Sequence, residues 1–332
     1  MERKRHVTTD RSAGCSVMTA AEPKRFERAI AKLKSLQDGD TGVIDAIGCG
    51  KQAVPVLRQI LFERERSGLY QVRCRAVEAL AGLGASDVLI EFLEIDRIIT
   101  NPVERVGEDA VINAAARALP NVRDPHVFAR LLRLAHHTHL TGVIRALGTS
   151  GRAEAIPALI AALEDDASRP TAETALRTFG RRTRGALLNA ATVQLPVAAR
   201  ESPSSVRRRR SAVSLLAEIG VTREAWAILR HIVDDPDAKI ATLACEICLK
   251  CASTAERSKA VRRLIKLLVH DDWLRRDHSE RVLLSQFVVT RGPIVAYLRE
   301  TPPPDEDDSV RRRTETALRH IMTRARSPRL VE

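Results

Sequence analysis

An all-α superhelix of stacked helix pairs is the architecture this sequence predicts, and three observations predict it. Apolar residues make up 44% of the chain and aromatics only 3%, so the core stock is Ala, Leu, Ile and Val. These side chains let helix axes approach closely, and Ala and Leu are the strongest apolar helix formers; a strand sandwich would draw on more Tyr, Phe, Trp and Thr. A motif also recurs: Thr41-Gly42-Val43-Ile44-Asp45-Ala46-Ile47-Gly48 returns as Thr141-Gly142-Val143-Ile144-Arg145-Ala146-Leu147-Gly148. The separation is about three units of the 30-odd residues usual for helical repeats. Finally, apolar residues recur at three- and four-residue steps between Gly and Pro punctuation, which is the helical period.

The elements follow in order. Residues 1–22 read as a disordered basic tail without the apolar segment of a secretory signal, and Met18 is an alternative start. The repeat array runs over 23–300. After the first motif comes a helix start with Pro in its opening turn, Ala53-Val54-Pro55-Val56-Leu57, matched by Ala155-Ile156-Pro157-Ala158-Leu159; Pro costs little there because its missing N–H would have no helical partner. In the unit at 72–84, Ala76, Val77, Leu80 and Leu83 form one apolar stripe. Gly84 supplies the left-handed backbone that ends it. Asp87 is the expected cap of the next helix, with Val88, Leu89, Phe92 and Leu93 as its stripe. Further units fall at 110–120, 171–180, 206–220, 238–250, 273–290 and 309–322, roughly nine helix pairs in all. Neither helix of a pair can bury its stripe alone, so the units stack on a shared core.

The pattern Val72-Arg73-x-x-Ala76-x-x-Ala79-Leu80-x-x-Leu83-Gly84, with Ala155-Ile156-Pro157-Ala158-Leu159-Ile160, resembles HEAT repeats, in particular the short bacterial type also found in phycobilin lyase subunits. The resemblance spans roughly 24–325, and is closest over 41–163. It implies a right-handed α-solenoid of about nine HEAT-like helix pairs. The same scaffold carries many functions, so it fixes none.

Charge narrows the function classes. The net charge is +12. The first 166 residues carry 23 basic and 22 acidic side chains, and the remainder 31 and 20. The second half therefore expects an anionic partner. Arg207, Arg208, Arg209 and Arg210 open a helix that, by the resemblance, lines the concave face. Arg311, Arg312 and Arg313 repeat the arrangement in the last helix, and Arg262 and Arg263 crowd another. Arg suits bidentate contact with carboxylate or phosphate. The competing reading is one structural Arg per repeat bonded to its neighbour, plus solvated faces.

Other clusters are expected to be structural. Cys245, Cys248 and Cys251 have the spacing of an iron–sulfur loop but lie within a helical pattern, with Cys245 and Cys248 on its apolar stripe. His136, His137 and His139 have no carboxylate partner in sequence. Gly48-Cys49-Gly50-Lys51 lacks phosphate-loop spacing and reads as a turn. Trp273 is expected to pack one face into the core, with Asp271 or Asp272 capping its helix. No His-Glu pair of the di-iron HEAT type and no Ser-His-Asp spacing occurs. The Pro-rich acidic stretch 301–308 reads as a stiff linker, followed by a capping helix over 309–326 and a tail over 327–332.

The expectation is a non-enzymatic, cytoplasmic interaction scaffold without metal, cofactor or membrane span, binding a protein partner through those nine arginines. The alternatives are a nucleic-acid backbone binder, related to HEAT-like DNA glycosylases, and an accessory subunit of a lyase-type covalent-attachment enzyme. Near-absence of aromatics argues against single-strand binding by stacking.

Overall fold

A computed structural model describes residues 21–64, 70–120, 122, 124–137, 140–197, 200–300 and 308–325. The chain divides into two compact units, Met1–Leu119 and Pro120–Glu332. Among the described residues there are eighteen α-helices, which make nine successive pairs.

The first unit holds α1 (Ala21–Lys34), α2 (Gly39–Gly48), α3 (Val54–Phe62), α4 (Gln71–Gly82), α5 (Ser86–Glu94) and α6 (Pro102–Ala118). Each odd-numbered helix packs on the even-numbered helix after it. The even-numbered helices also pack on one another, α2 on α4 and α4 on α6, which makes a two-layered stack. Its spine is the predicted stripe: Ala76, Val77 and Leu80 of α4 and Leu89 and Phe92 of α5 are fully buried. Phe92 meets Phe62 edge-on at 5.7 Å. Gly84 has φ +71° and ends α4 as its position required. Asp87 is not the cap: α5 begins at Ser86, so Asp87 lies in its first turn, where a carboxylate favours the helix dipole.

The second unit continues the pattern with α7 (Pro125–His137), α8 (Thr141–Thr149), α9 (Ile156–Ala161), α10 (Arg169–Phe179), α11 (Arg184–Thr192) and α12 (Pro203–Ile219). Then come α13 (Arg223–Leu229), α14 (Ala238–Cys251), α15 (Thr254–Leu267), α16 (Trp273–Ser285), α17 (Phe287–Glu300) and α18 (Ser309–Arg324). Helices α8, α10, α12, α14, α16 and α18 pack in succession as one layer. The odd-numbered helices form the other. Pro157 falls in the first turn of α9, and Gly180 and Gly220, both at positive φ, close α10 and α12. The stretch 273–290, read as one unit, is the whole of α16 and the start of α17, divided at Gln286.

The sheet content among the described residues is one hairpin of two-residue strands, Pro196–Val197 against Arg200–Glu201, between α11 and α12. In α18, Leu318 and Ile321 are fully buried while Val310 is half-exposed, so the C-terminal stripe is covered only along its later turns. Asp308 caps α18 through the Arg311 amide at 2.9 Å. The expected tails at 1–20 and 327–332 and the linker at 301–307 lie outside the described residues. No described helix is long and apolar enough to cross a membrane.

Candidate docking surface

Four consecutive arginines on a helix sweep a full turn, so α12 cannot present them all to one surface. Arg209 points inward and is only 1% exposed. Its Nε donates to the Ala191 carbonyl at the end of α11 (2.9 Å), one terminal nitrogen to Glu201 (2.7 Å), and the other to Asp235. Arg208, 7% exposed, donates to Glu164 and to the Val193 carbonyl, both at 2.7 Å. These two close the ends of α11 and tie neighbouring pairs together. Their burial withdraws them from the surface on which the sequence places them; carboxylates and carbonyls engage their terminal nitrogens, while the Arg208 Nε is buried without a partner.

The first unit repeats the device. Arg73 of α4 is buried and donates to the Leu61 carbonyl at the end of α3 (2.8 Å) and to buried Glu108 (2.7 Å). Arg73 and Arg209 both stand three residues before the Ala of the repeat pattern (Ala76, Ala212). The reading of one structural Arg per repeat holds at both.

Arg207 and Arg210 lie on the flanks, partly exposed. Arg207 donates to the Glu164 carbonyl (3.0 Å) and pairs with Asp166 at 3.5 Å. Arg210 reaches Asp237, whose Oδ1 also accepts from the Lys239 and Ile240 amides and so caps α14. Burial is the largest influence on the Asp237 carboxyl and pushes its pKa upward. Hydrogen bonds from Arg210 and the Ile240 amide, with the nearby charges of Arg210 and Arg275, outweigh it and hold the pKa below its ordinary value.

These flanking arginines belong to a row of cations across the even-numbered layer, each in the N-terminal half of its helix. Arg169 opens α10 and pairs with Asp166 at 2.6 Å, Lys239 is in the first turn of α14, and Arg275 in that of α16 pairs with Asp272 at 3.4 Å. Asp272 caps α16 through the Leu274 amide. Lys239 is half-buried and has no ion pair among the described residues. Its pKa is lowered, first by burial, then by Arg275 and Arg210, with Glu173 opposing and Arg169 adding. The sequence reading missed Arg169, Lys239 and Arg275. Each lies within three residues of a helix-start Ser or Asp, a signal that becomes legible only when the repeats are aligned on their helix starts.

The other predicted arginines do not join this row. Arg262 is exposed on α15, in the odd-numbered layer, and Arg263 beside it donates to the Asp235 carbonyl at 3.0 Å. Arg311 is partly buried, with two of its guanidinium nitrogens lacking a partner, whereas Arg312 and Arg313 are exposed on α18. The nine expected site residues thus fall on two layers and form no single patch.

The remaining clusters resolve structurally. Cys245 and Cys248 are buried along α14; burial raises both thiols, that of Cys248 to about 12. Trp226 is buried and donates to Glu256 at 3.0 Å. With Val233 and Cys248 it forms the apolar floor of a cleft of about 460 Å³ whose rim includes Arg230, His231, Asp234 and Lys259. Trp273, expected in the core, is 64% exposed, because its place at the very start of α16 carries it beyond the packed stripe. His136 and His137 are exposed, and His139 lies outside the described residues. Among the described residues no three His, Cys, Asp or Glu side chains are grouped to hold a metal ion.

Residues 141–165, which are α8, the turn after it and α9, match the family described as PBS lyase HEAT-like repeat. The protein carries a HEAT-like repeat. That repeat takes the second helix of one pair with the first helix of the next, and it contains the second copy of the Thr-Gly-Val-Ile motif. Among solved structures, the complex of CpcE and CpcF of phycocyanin lyase from Nostoc sp. PCC7120 is similar at 17% identity, covering 96% of this chain and 100% of that one, with a TM-score of 0.23. No curated protein matches the chain.

Proposed function

We propose that the protein is a non-enzymatic docking scaffold. Its second unit binds an acidic segment of a protein partner across the N-terminal halves of α10, α12, α14 and α16. The observation that carries this reading is the row Arg169, Arg207, Arg210, Lys239 and Arg275 on four consecutive helices of one layer. Helix N-termini add positive potential at the same edge. Asp166, Asp237 and Asp272 are interspersed among the cations. They would repel a continuous phosphate backbone, whereas discrete carboxylates can settle between them. That contrast favours an acidic protein over nucleic acid. Affinity capture from the native host, with and without nuclease, tests the reading. The partner should survive nuclease and be released by salt; a partner lost on nuclease treatment overturns it in favour of nucleic acid.

The match at 141–165 favours a second reading, an accessory subunit of a covalent-attachment lyase. Under it, capture recovers a second lyase subunit, and the pair together attaches a pigment that neither attaches alone.

A further inference from the structure

The cations along the even-numbered layer are neutralised in a regular way. Arg169 and Arg207 share Asp166, Arg210 takes Asp237, and Arg275 takes Asp272. Each carboxylate stands at or just before the start of a helix. Between α14 and α16 the regularity fails: Lys239 projects from the first turn of α14 with no carboxylate in ion-pairing reach among the described residues. Asp237, two residues earlier, is occupied by Arg210 and by the helix amides it caps. Glu173 on α10 is the acid that acts on Lys239 across the layer, but it accepts from the Ser211 hydroxyl at 2.6 Å. The groups facing Lys239 are otherwise basic: Arg275 of α16, Arg210 of α12 and Arg169 of α10, with His278 one turn beyond Arg275.

We infer that Lys239, flanked by Arg210 and Arg275, is a carboxylate-binding site that takes a glutamate or aspartate side chain of the protein partner. This inference rests on the docking reading above and assigns it one specific contact. The physical reason is an uncompensated charge. A half-buried ammonium with no carboxylate of its own, where each neighbouring arginine has one, destabilises the folded chain when the site is empty, and an incoming carboxylate removes that penalty while making a charge-assisted hydrogen bond. The pKa of Lys239 is lowered first by that burial and then by the charges of Arg275 and Arg210. A polyphosphate suits the layer less well, because Asp237 and Asp272 already neutralise the neighbouring Arg210 and Arg275.

The test uses the full chain with its lysines reductively dimethylated with carbon-13, a change that preserves their charge, and hexaglutamate as the probe. Lys239 is assigned from the spectrum of the K239R variant, and Lys266, exposed on α15, is the internal control. Hexaglutamate should shift the Lys239 methyl signal and raise its pKa, leaving Lys266 in place. K239Q should weaken hexaglutamate about tenfold, the scale of one hydrogen bond to a charged group, and K266Q should not. Because the amine is a burden when empty, K239M should fold and raise Tm. Equal weakening by K239Q and K266Q, with hexaglutamate still bound, overturns this site but leaves docking on the layer intact. Absence of any hexaglutamate binding overturns both. Displacement of hexaglutamate by a DNA duplex that shifts the Lys239 signal overturns the carboxylate assignment, and a lower Tm for K239M shows the lysine to be structural.

Discussion

Arg209 and Lys239 show how differently two basic residues of one layer can be used. Arg209 donates from each of its guanidinium nitrogens, to the Ala191 carbonyl, to part-buried Glu201 and to buried Asp235. Replacing it with Met leaves Glu201 and Asp235 without their cation, and removing one partner of a buried ion pair costs about 3–5 kcal/mol. R209M should lower the chemical-denaturation midpoint by a corresponding amount, while R312M, on the exposed face of α18, leaves it unchanged. Lys239 behaves oppositely. Its folded pKa lies below the ordinary lysine value, so the unfolded chain holds the proton more tightly. The penalty is complete below the folded pKa and disappears as pH rises from there toward the ordinary value. The Tm advantage of K239M over the wild type should therefore be present at pH 7 and shrink as the buffer is taken to pH about 10. A difference constant with pH would show that packing, not charge, separates the two proteins. The chain itself announced the arginine run but not its division into inward and flanking members, because that depends on the phase of α12 against α11 and α14.

At the scale of the helix pair, the glycine of the first Thr-Gly-Val-Ile motif has a steric cause. A Cβ on Gly42 would overlap the backbone of Leu33, so α1 and α2 cross closely at that point. Backbone cannot step aside, and Gly42→Ala should cost about 1–3 kcal/mol by overpacking, read as loss of denaturation midpoint; an unchanged midpoint would mean the pair opens without cost. Gly50 has positive φ with open space around it, so its role is the turn and not the packing. In α14 the buried thiols of Cys245 and Cys248 should resist a disulfide reagent at pH 8 in the folded protein and react after denaturation. Rapid labelling of either in the native state would contradict their place in the core. Helix existence, the Pro starts and the Gly ends were legible in the sequence because each is a local backbone requirement. The cap of α5 and the exposure of Trp273 were not, since a residue or two of slippage at a helix start moves a side chain from cap to first turn or from core to solvent.

At the scale of the whole molecule, the excess positive charge of the second half is not one surface. Part of it is consumed in ties between helix pairs, at Arg208 and Arg209. Part lies on the odd-numbered layer, as at Arg262, and part forms the row along the even-numbered layer. Composition reports the excess but cannot distribute it between layers; only the alternation of helices does so. Hydrogen–deuterium exchange on the complex with the captured partner tests the central claim most directly. New protection confined to the N-terminal halves of α10, α12, α14 and α16, around Arg169, Arg210, Lys239 and Arg275, is the predicted result. Protection centred on α13 and α15, around Arg230 and Arg262, with the even-numbered layer unchanged, would contradict it.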